Sequence, residues 1–109
     1  MVDRLDRLYD IVDGYNDRFP DGNSPFAIVT RLLEEAGEVA TVINHLERVG
    51  AKVAKRGAPD PTELAYEIED LVHTALSLAR YYGVESVVDE AIARTHADLT
   101  GAGHIKPAE

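Results

Sequence analysis

Residues 24–50 of the chain are SPFAIVTRLLEEAGEVATVINHLERVG, and they carry the start and stop signals of one long helix. Ser24 is suited to the N-cap, and Pro25 fits the first helical position, where a backbone N–H is not needed. Gly50 follows the last apolar residue and is typical of a helix C-terminus. The pattern therefore predicts a helix to about Val49, with about 25 residues and a length of roughly 37 Å at 1.5 Å per residue.

Three further helices are predicted from apolar residues at helical spacing. One of them begins at Asp60-Pro61, which repeats the start signal, and stops at Gly83. No segment alternates between apolar and polar residues as a strand does. We therefore expect an all-α, four-helix bundle-like fold, whose other helices cover about residues 3–16, 60–82 and 86–99.

The second and third predicted helices are apolar over a wide arc. On the second helix the main apolar face comprises Val29, Leu33, Ala36, Ala40 and Ile43. Four more apolar residues widen it to one side: Ile28, Val39, Val42 and Leu46. On the third helix the main face comprises Leu64, Ile68, Leu71, Val72, Ala75, Ala79 and Tyr82, with Leu78 beside it. An arc wider than about 100° indicates contacts on two sides, as in a bundle or a dimer.

Length and composition limit the class of protein. A chain of 109 residues, 45% of them hydrophobic, is long enough for one domain with a core and too apolar to be disordered. We expect a single domain over residues 1–100 and a flexible tail at 101–109. Cysteine is absent, which excludes a disulfide framework, a thiolate metal site and a cysteine nucleophile.

Charge and hydropathy limit the partners. The N-terminus, MVDRLDRLYD, is too charged for a signal peptide, and no stretch approaches the roughly 18 apolar residues of a membrane span. We therefore expect a cytoplasmic protein without a membrane partner. The 20 acidic residues against 11 Lys and Arg give a net charge of −9, which repels a nucleic-acid backbone, so no nucleic-acid partner is expected.

Two acidic pairs stand out on the second and third predicted helices. Glu35 and Glu38 form one pair, and Glu67 and Asp70 form the other. Each pair is spaced i, i+3, so its two carboxylates are neighbours on one helix surface. At 100° per residue, both pairs lie about 100° and about 160° from the middle of the main apolar face. If the helices pack antiparallel, all four carboxylates converge on one cleft.

Four ionised carboxylates in one cleft need cations or protonation. Two like charges about 6 Å apart repel by roughly 3 kcal/mol at an effective dielectric constant near 20. Several such pairs rival the total stability of a small domain, about 5–15 kcal/mol. Oxygen ligands without Cys or paired His favour Mg²⁺ or Mn²⁺ over zinc. The alternative is a solvated surface, because acidic pairs at this spacing are common on exposed helix faces.

Residues 33–39 (LEEAGEV) and 67–71 (EIEDL) resemble the EExxE…ExxD motif of MazG-like nucleotide pyrophosphohydrolases. The resemblance covers roughly residues 25–91. It implies an all-α fold of paired helical hairpins, assembled as a homodimer or homotetramer. It also implies cleavage of the α–β phosphate bond of a nucleoside triphosphate, which releases monophosphate and pyrophosphate.

The same resemblance implies a role for each acid. Mg²⁺, or Mn²⁺ in its place, would be held by Glu35, Glu38, Glu67 and Asp70. Glu34 would lie beside the metal site, where it orients or deprotonates the attacking water. The implied catalytic set is therefore Glu34, Glu35 and Glu38.

Phosphate-binding residues of this family usually lie on the last helix. Here Arg94 fits the pattern, His96 stands where Asn is usual, and Asp98 has the opposite charge. A basic linker offers other phosphate contacts, and Phe19 offers a surface on which a base could stack. The expected substrate-binding residues are thus Arg94, His96, Lys52, Lys55, Arg56 and Phe19.

Two alternatives to this function stay open. Phosphoribosyl-ATP pyrophosphohydrolase has a related helical fold, but its usual tyrosine–histidine pair is not reproduced by Leu71-Val72-His73. A non-catalytic helical module that binds a nucleotide or a protein partner is the second, and the altered last helix favours it. His73, three residues after Asp70, is interpreted as a polar residue near the site, because a di-iron bundle needs two E-x-x-H motifs.

Overall fold

The computed structural model describes residues 3–49, 57, 58 and 60–107. Across these residues the chain forms helices and no strand, which confirms the all-α expectation. The helices are α1 (Arg4–Arg18), α2 (Pro25–Leu46), α3 (Pro61–Tyr82) and α4 (Glu85–Gly101). Lys52, Lys55 and Arg56 lie outside the described residues.

Short polar side chains cap the first three helices. The Asp3 carboxylate accepts a hydrogen bond from the Leu5 N–H, and the Ser24 hydroxyl accepts one from the Ala27 N–H. Asp60 caps α3 in the same way, and Gly83 closes it with a left-handed φ of 67°. The sequence predicted both ends of α3 because these signals are local.

The predicted end of α2 was wrong by about three residues. The helix ends at Leu46, and Arg48 takes a positive φ of 58°. The Val49 N–H then bonds the Asn44 carbonyl oxygen at 2.7 Å, which is the closure usually made with a glycine at the left-handed position. The chain thus leaves the helix before Gly50.

The third helix is the centre of the fold. α2 and α1 lie on either side of α3 without packing against each other, and α4 packs only against α3 among the described helices. The radius of gyration is 17.3 Å, whereas a compact chain of this length has about 13 Å. The four helices of one chain therefore form an open arrangement around α3.

The core is small and lies where the helices meet α3. Five hydrophobic residues are buried among the described residues: Tyr9, Val12, Ile28, Val42 and Ala79. The buried polar residues are His45, His73 and Thr74. None of the described helices is long and apolar enough to cross a membrane.

The predicted main apolar face of α2 is exposed. Leu33 is 68% exposed and Val29 42%, whereas Ile28 and Val42 on the neighbouring side are almost fully buried. Ile28 and Val42 lie seven residues before and after Glu35. Seven residues make almost two full turns, so all three side chains lie on nearly the same side of the helix. The side that carries the acids is therefore the side that packs against α3.

Candidate metal centre

The two acidic pairs face each other across α2 and α3. The carboxylate of Glu35 accepts a hydrogen bond from the Thr74 hydroxyl and lies close enough to Asp70 for the two charges to interact. Glu38 and Glu67 hydrogen-bond to each other. Residues later in α2 thus meet residues earlier in α3, so the helices are antiparallel. We call these four residues the acid groove.

The contact between Glu38 and Glu67 is unfavourable when both carboxylates are ionised. Two carboxyl groups can form a hydrogen bond only if one of them donates. This hydrogen bond, together with burial and the negative charges of Glu38 and Asp70, raises the pKa of Glu67. The ionised form of Glu67 is therefore disfavoured relative to that of an isolated glutamate.

Glu35 lies at the middle of the packing face of α2. Burial raises the pKa of the Glu35 carboxyl, the hydrogen bond from Thr74 and the charge of His73 oppose this rise, and the charge of Asp70 adds to it. Both an acidic neighbour and a lack of solvent thus disfavour the ionised form of Glu35.

Two carboxylate oxygens of the groove are buried without a partner. They are Oε1 of Glu35 and Oε2 of Glu67, and neither accepts a hydrogen bond within the described residues. A buried acceptor left unsatisfied costs about 1–3 kcal/mol, and more if it is charged. The groove thus has one such oxygen on each helix, and a cation or a hydrogen-bond donor would satisfy them.

His73 forms a cluster with Glu35 and Asp70 of the acid groove. One ligand atom each of Glu35, Asp70 and His73 lies within 4.8 Å of the others. Nδ1 of His73 is 3.1 Å from Oε1 of Glu69, and the ring stacks on Tyr15 of α1 at a centroid distance of 5.1 Å. The sequence placed His73 near the site but did not identify it as a possible ligand. Its i, i+3 spacing from Asp70, the same as within each pair, was the available signal.

A cavity of about 290 Å³ opens beside the cluster. Phe19 lines it and stacks on Tyr15 at a centroid distance of 6.4 Å. Arg31 supplies a positive charge to the same wall. The lining residues are Tyr15, Asn16, Phe19, Asn23, Arg31, Glu35, Asp70, His73, Thr74 and Ser77.

An ion-pair network holds α1 in its place along this cavity. Arg80 of α3 donates hydrogen bonds from Nε and Nη2 to Asp13 of α1, and from Nη1 to Glu85 of α4 at 3.0 Å. Its guanidinium also lies 5.1 Å from the ring centroid of Tyr9. The hydrogen bonds from Arg80 hold the pKa of Asp13 below its usual range. Arg80 of α3 therefore ties α1 and α4 to α3.

Other predicted site residues lie apart from the acid groove. Glu34 is exposed and does not line the cavity, because one residue along a helix turns its side chain by about 100° from Glu35. Arg94 and His96 are exposed on α4, and Arg94 lines a separate depression with Glu90. Since α4 packs only against α3, one chain does not bring these basic residues to its own groove.

Comparison with known proteins gives one informative match. A protein of Bacillus subtilis (strain 168), named Uncharacterized protein YpjD, is 39% identical over 69 residues. These residues are 62% of this chain and 60% of that protein, so the chain spans less than two thirds of its relative's length. No family model matches the chain. No solved structure matches it either.

Proposed function

We propose that the chain is a Mg²⁺-dependent nucleotide pyrophosphohydrolase of the MazG-like type, which cleaves a nucleoside triphosphate into a monophosphate and pyrophosphate. The observation that carries the proposal is the meeting of the two acidic pairs across antiparallel helices, Glu35 with Asp70 and Glu38 with Glu67. The resemblance of the two motifs to that family supports the same function.

The residues present fit a hard divalent cation. The groove offers four carboxylates, and two of their oxygens are buried without a partner. Oxygen ligands of this kind suit Mg²⁺ and Mn²⁺. When bound, such an ion lowers the pKa of a water molecule and neutralises charge on the phosphates. The groove residues would hold the ion and its water. Glu34 is not among them, because its side chain does not face α3.

The cavity beside the groove fits the nucleoside end of such a substrate. The stacked rings of Tyr15 and Phe19 offer an apolar face to a base, and Asn16 and Asn23 offer amide groups to its edge. The Asn23 amide also donates to the Phe19 carbonyl oxygen at 2.8 Å, which fixes this part of the wall. Arg31, on the same wall as Glu35, is the described cation best placed for a phosphate.

The proposal includes assembly into a homodimer or homotetramer. The exposed apolar residues of α2 and α3 lie on one side of the helical hairpin, opposite α1; we call them the apolar surface: Val29, Leu33, Ala36, Ala40, Ile43, Ile68, Val72 and Ala75. A surface of this kind marks an interaction site. The large radius of gyration of a single chain agrees with a partner that completes the fold. The proposal assigns Arg94 and His96 to the groove of a neighbouring chain, because they do not reach their own.

A nucleotide panel with detection of pyrophosphate tests the function. We expect turnover of at least one nucleotide with Mg²⁺ or Mn²⁺, and a loss of at least about 100-fold in Glu38→Gln and Asp70→Asn, since even residues behind a metal ligand are worth 10–100-fold. Asp10→Asn, which removes an exposed acid from α1, is the matched control and should retain the wild-type rate.

A non-catalytic nucleotide-binding module is the second candidate. It is favoured by the exposed position of Arg94 and His96, which leaves Arg31 as the cation of the cavity wall. This candidate replaces the first if no nucleotide of the panel, phosphoribosyl-ATP included, is turned over while one of them raises the melting temperature.

A further inference from the structure

The acid groove contains a nitrogen donor at its edge. We propose that His73 is a metal ligand, and that Glu35, Asp70 and His73 form a mixed nitrogen–oxygen centre that prefers Mn²⁺ or another transition-metal ion to Mg²⁺. This inference rests on the metal-dependent function proposed above, because it specifies the ion of the same groove. It differs in the proposed ligands, because it adds an imidazole nitrogen that the four carboxylates of the groove do not supply.

The distances among the three residues suit one ion. Their ligand atoms lie within 4.8 Å of one another. Ligands bound at about 2.0–2.2 Å are at most about 4.4 Å apart, so small side-chain rotations bring all three to one ion. Asp70 and His73 are one turn apart on α3, and Glu35 faces them from α2. Rigid helices thus supply all three ligands.

The ring nitrogen that faces Glu69 fixes the tautomer of His73. The Glu69 carboxylate accepts a hydrogen bond from Nδ1 at 3.1 Å, which leaves the lone pair on Nε2. Histidines that bind metals usually donate their other nitrogen to a carboxylate in this way. The stack on Tyr15 also restricts the plane of the ring. His73 is therefore oriented from two sides before any ion binds.

Burial provides an independent argument. His73 is only 9% exposed, and the adjacent Glu35 has a buried oxygen without a partner. A buried polar group is normally satisfied by a partner. A divalent cation bound between them would satisfy the orphan oxygen of Glu35.

The nitrogen ligand decides which ion is preferred. Imidazole suits transition metals, whereas carboxylate and water suit Mg²⁺. Mg²⁺ also demands near-ideal octahedral geometry of oxygen ligands. A centre with one imidazole and two carboxylates should therefore bind Mn²⁺ more tightly than Mg²⁺.

His45 is the matched comparison within the chain. It is also buried, with 4% exposed, but its Nε2 donates to the Gly57 carbonyl oxygen at 2.7 Å. It has no place in the cluster of Glu35 and Asp70. Replacing His45 therefore removes a buried imidazole without removing the proposed ligand.

The assignment can be tested by adding Mn²⁺ to the metal-free protein and recording pulsed electron paramagnetic resonance of the bound ion. We expect coupling to an imidazole nitrogen in the wild type and in His45→Gln, and none in His73→Gln. Titration should show that His73→Gln weakens Mn²⁺ binding at least about tenfold and Mg²⁺ binding much less. Glu69→Gln should keep the nitrogen coupling with weaker Mn²⁺ binding, which gives a second variant if His73→Gln does not fold.

Two results overturn the inference: bound Mn²⁺ without nitrogen coupling in the wild type, or coupling that persists in His73→Gln. The proposed function fails in a different way. If nitrogen coupling is present but no nucleotide is cleaved, the metal centre stands and the hydrolase does not. If Mg²⁺-dependent cleavage occurs without nitrogen coupling and His73→Gln leaves it unchanged, the hydrolase stands and the histidine ligand does not.

Discussion

The acid groove and the apolar surface lie on different sides of the same two helices. In most domains acidic side chains are exposed and apolar ones are buried, whereas here the acid groove is the more buried of the two. The groove contains Glu35 and Glu67, whose oxygens Oε1 and Oε2 are buried, whereas Leu33 and Ile68 on the other side are 68% and 45% exposed. Apolar side chains are normally the buried ones. The contrast is the reason for proposing that α2 and α3 pack around a charged site and that their apolar surface contacts a partner chain.

Leu33→Asp tests the apolar surface, and its expected effect is the largest. Leu33 is mostly exposed in one chain, so a charge there should change the stability of that chain little, about 0.5 kcal/mol or less. A charge at the centre of an apolar interface should abolish assembly. Light scattering during gel filtration should show a monomer for Leu33→Asp and an assembly for the wild type.

Thr41→Asp is the control for this prediction, because it adds the same charge to an exposed position of α2 outside the apolar surface. It should assemble as the wild type does. A wild type that is monomeric at high concentration, or a Leu33→Asp variant that still assembles, would show that the apolar surface has another role.

Glu35→Met tests whether the carboxylates of the groove destabilise the metal-free protein. In the metal-free protein it should raise the free energy of unfolding by about 1 kcal/mol or more, because it removes a buried carboxylate that repels Asp70. It should also abolish stabilisation by Mg²⁺. Denaturant unfolding in the presence of a chelator measures the first effect, and in Mg²⁺ the second.

Glu34→Met is the matched control, since it makes the same substitution one residue earlier at an exposed position. Its effect should stay within about 0.5 kcal/mol. If Glu35→Met destabilises the metal-free chain as a core substitution does, the repulsion that defines the groove is absent.

The pH dependence of stability gives the smallest expected effect and separates the groove from the Arg80 network. The pKa values of Glu35 and Glu67 are raised on folding, so the folded state binds more protons and metal-free stability should fall as the pH rises above about 4.5. The pKa values of Asp13 and Glu85 are lowered, so their contribution is lost as the pH falls below about 4.

Thermal unfolding with a chelator should therefore show a maximum near pH 4–5, and Mg²⁺ should remove the decline on its alkaline side. In Arg80→Gln the acid side of the curve should flatten while the alkaline side stays. A metal-free stability that rises steadily to pH 7 would be inconsistent with the raised pKa values of the groove.

The helices could be predicted from the sequence because their signals are local. Ser24-Pro25, Asp60-Pro61 and Gly83 act within one turn, and the structure places helix ends at all of them. The end of α2 could not be predicted, because Arg48 adopts the left-handed conformation that Gly50 was expected to take. The acid groove was predicted on the condition that the second and third helices pack antiparallel. The contacts that Glu35 and Glu38 make across α2 and α3 meet this condition.

The sequence did not show which side of α2 packs within the chain. A helical wheel ranks sides by hydrophobicity, so Leu33 and Ala36 were placed at the centre, although Ile28 and Val42 are the buried residues. Hydrophobicity does not show whether a side packs within the chain or against another chain. The position of His73 depends on Tyr15, more than fifty residues earlier, and such tertiary contacts leave no local pattern.

Mg²⁺-dependent thermal stability tests most directly whether the acid groove binds divalent cations. Melting curves of the wild type, Glu67→Gln and Asp10→Asn would be compared in chelator and in increasing Mg²⁺ or Mn²⁺. We predict that the wild type and Asp10→Asn gain about 1.4 kcal/mol at an ion concentration ten times the dissociation constant, and that Glu67→Gln gains little. A wild type that ignores about 10 mM of either ion, or a Glu67→Gln variant that responds as the wild type does, would contradict the account.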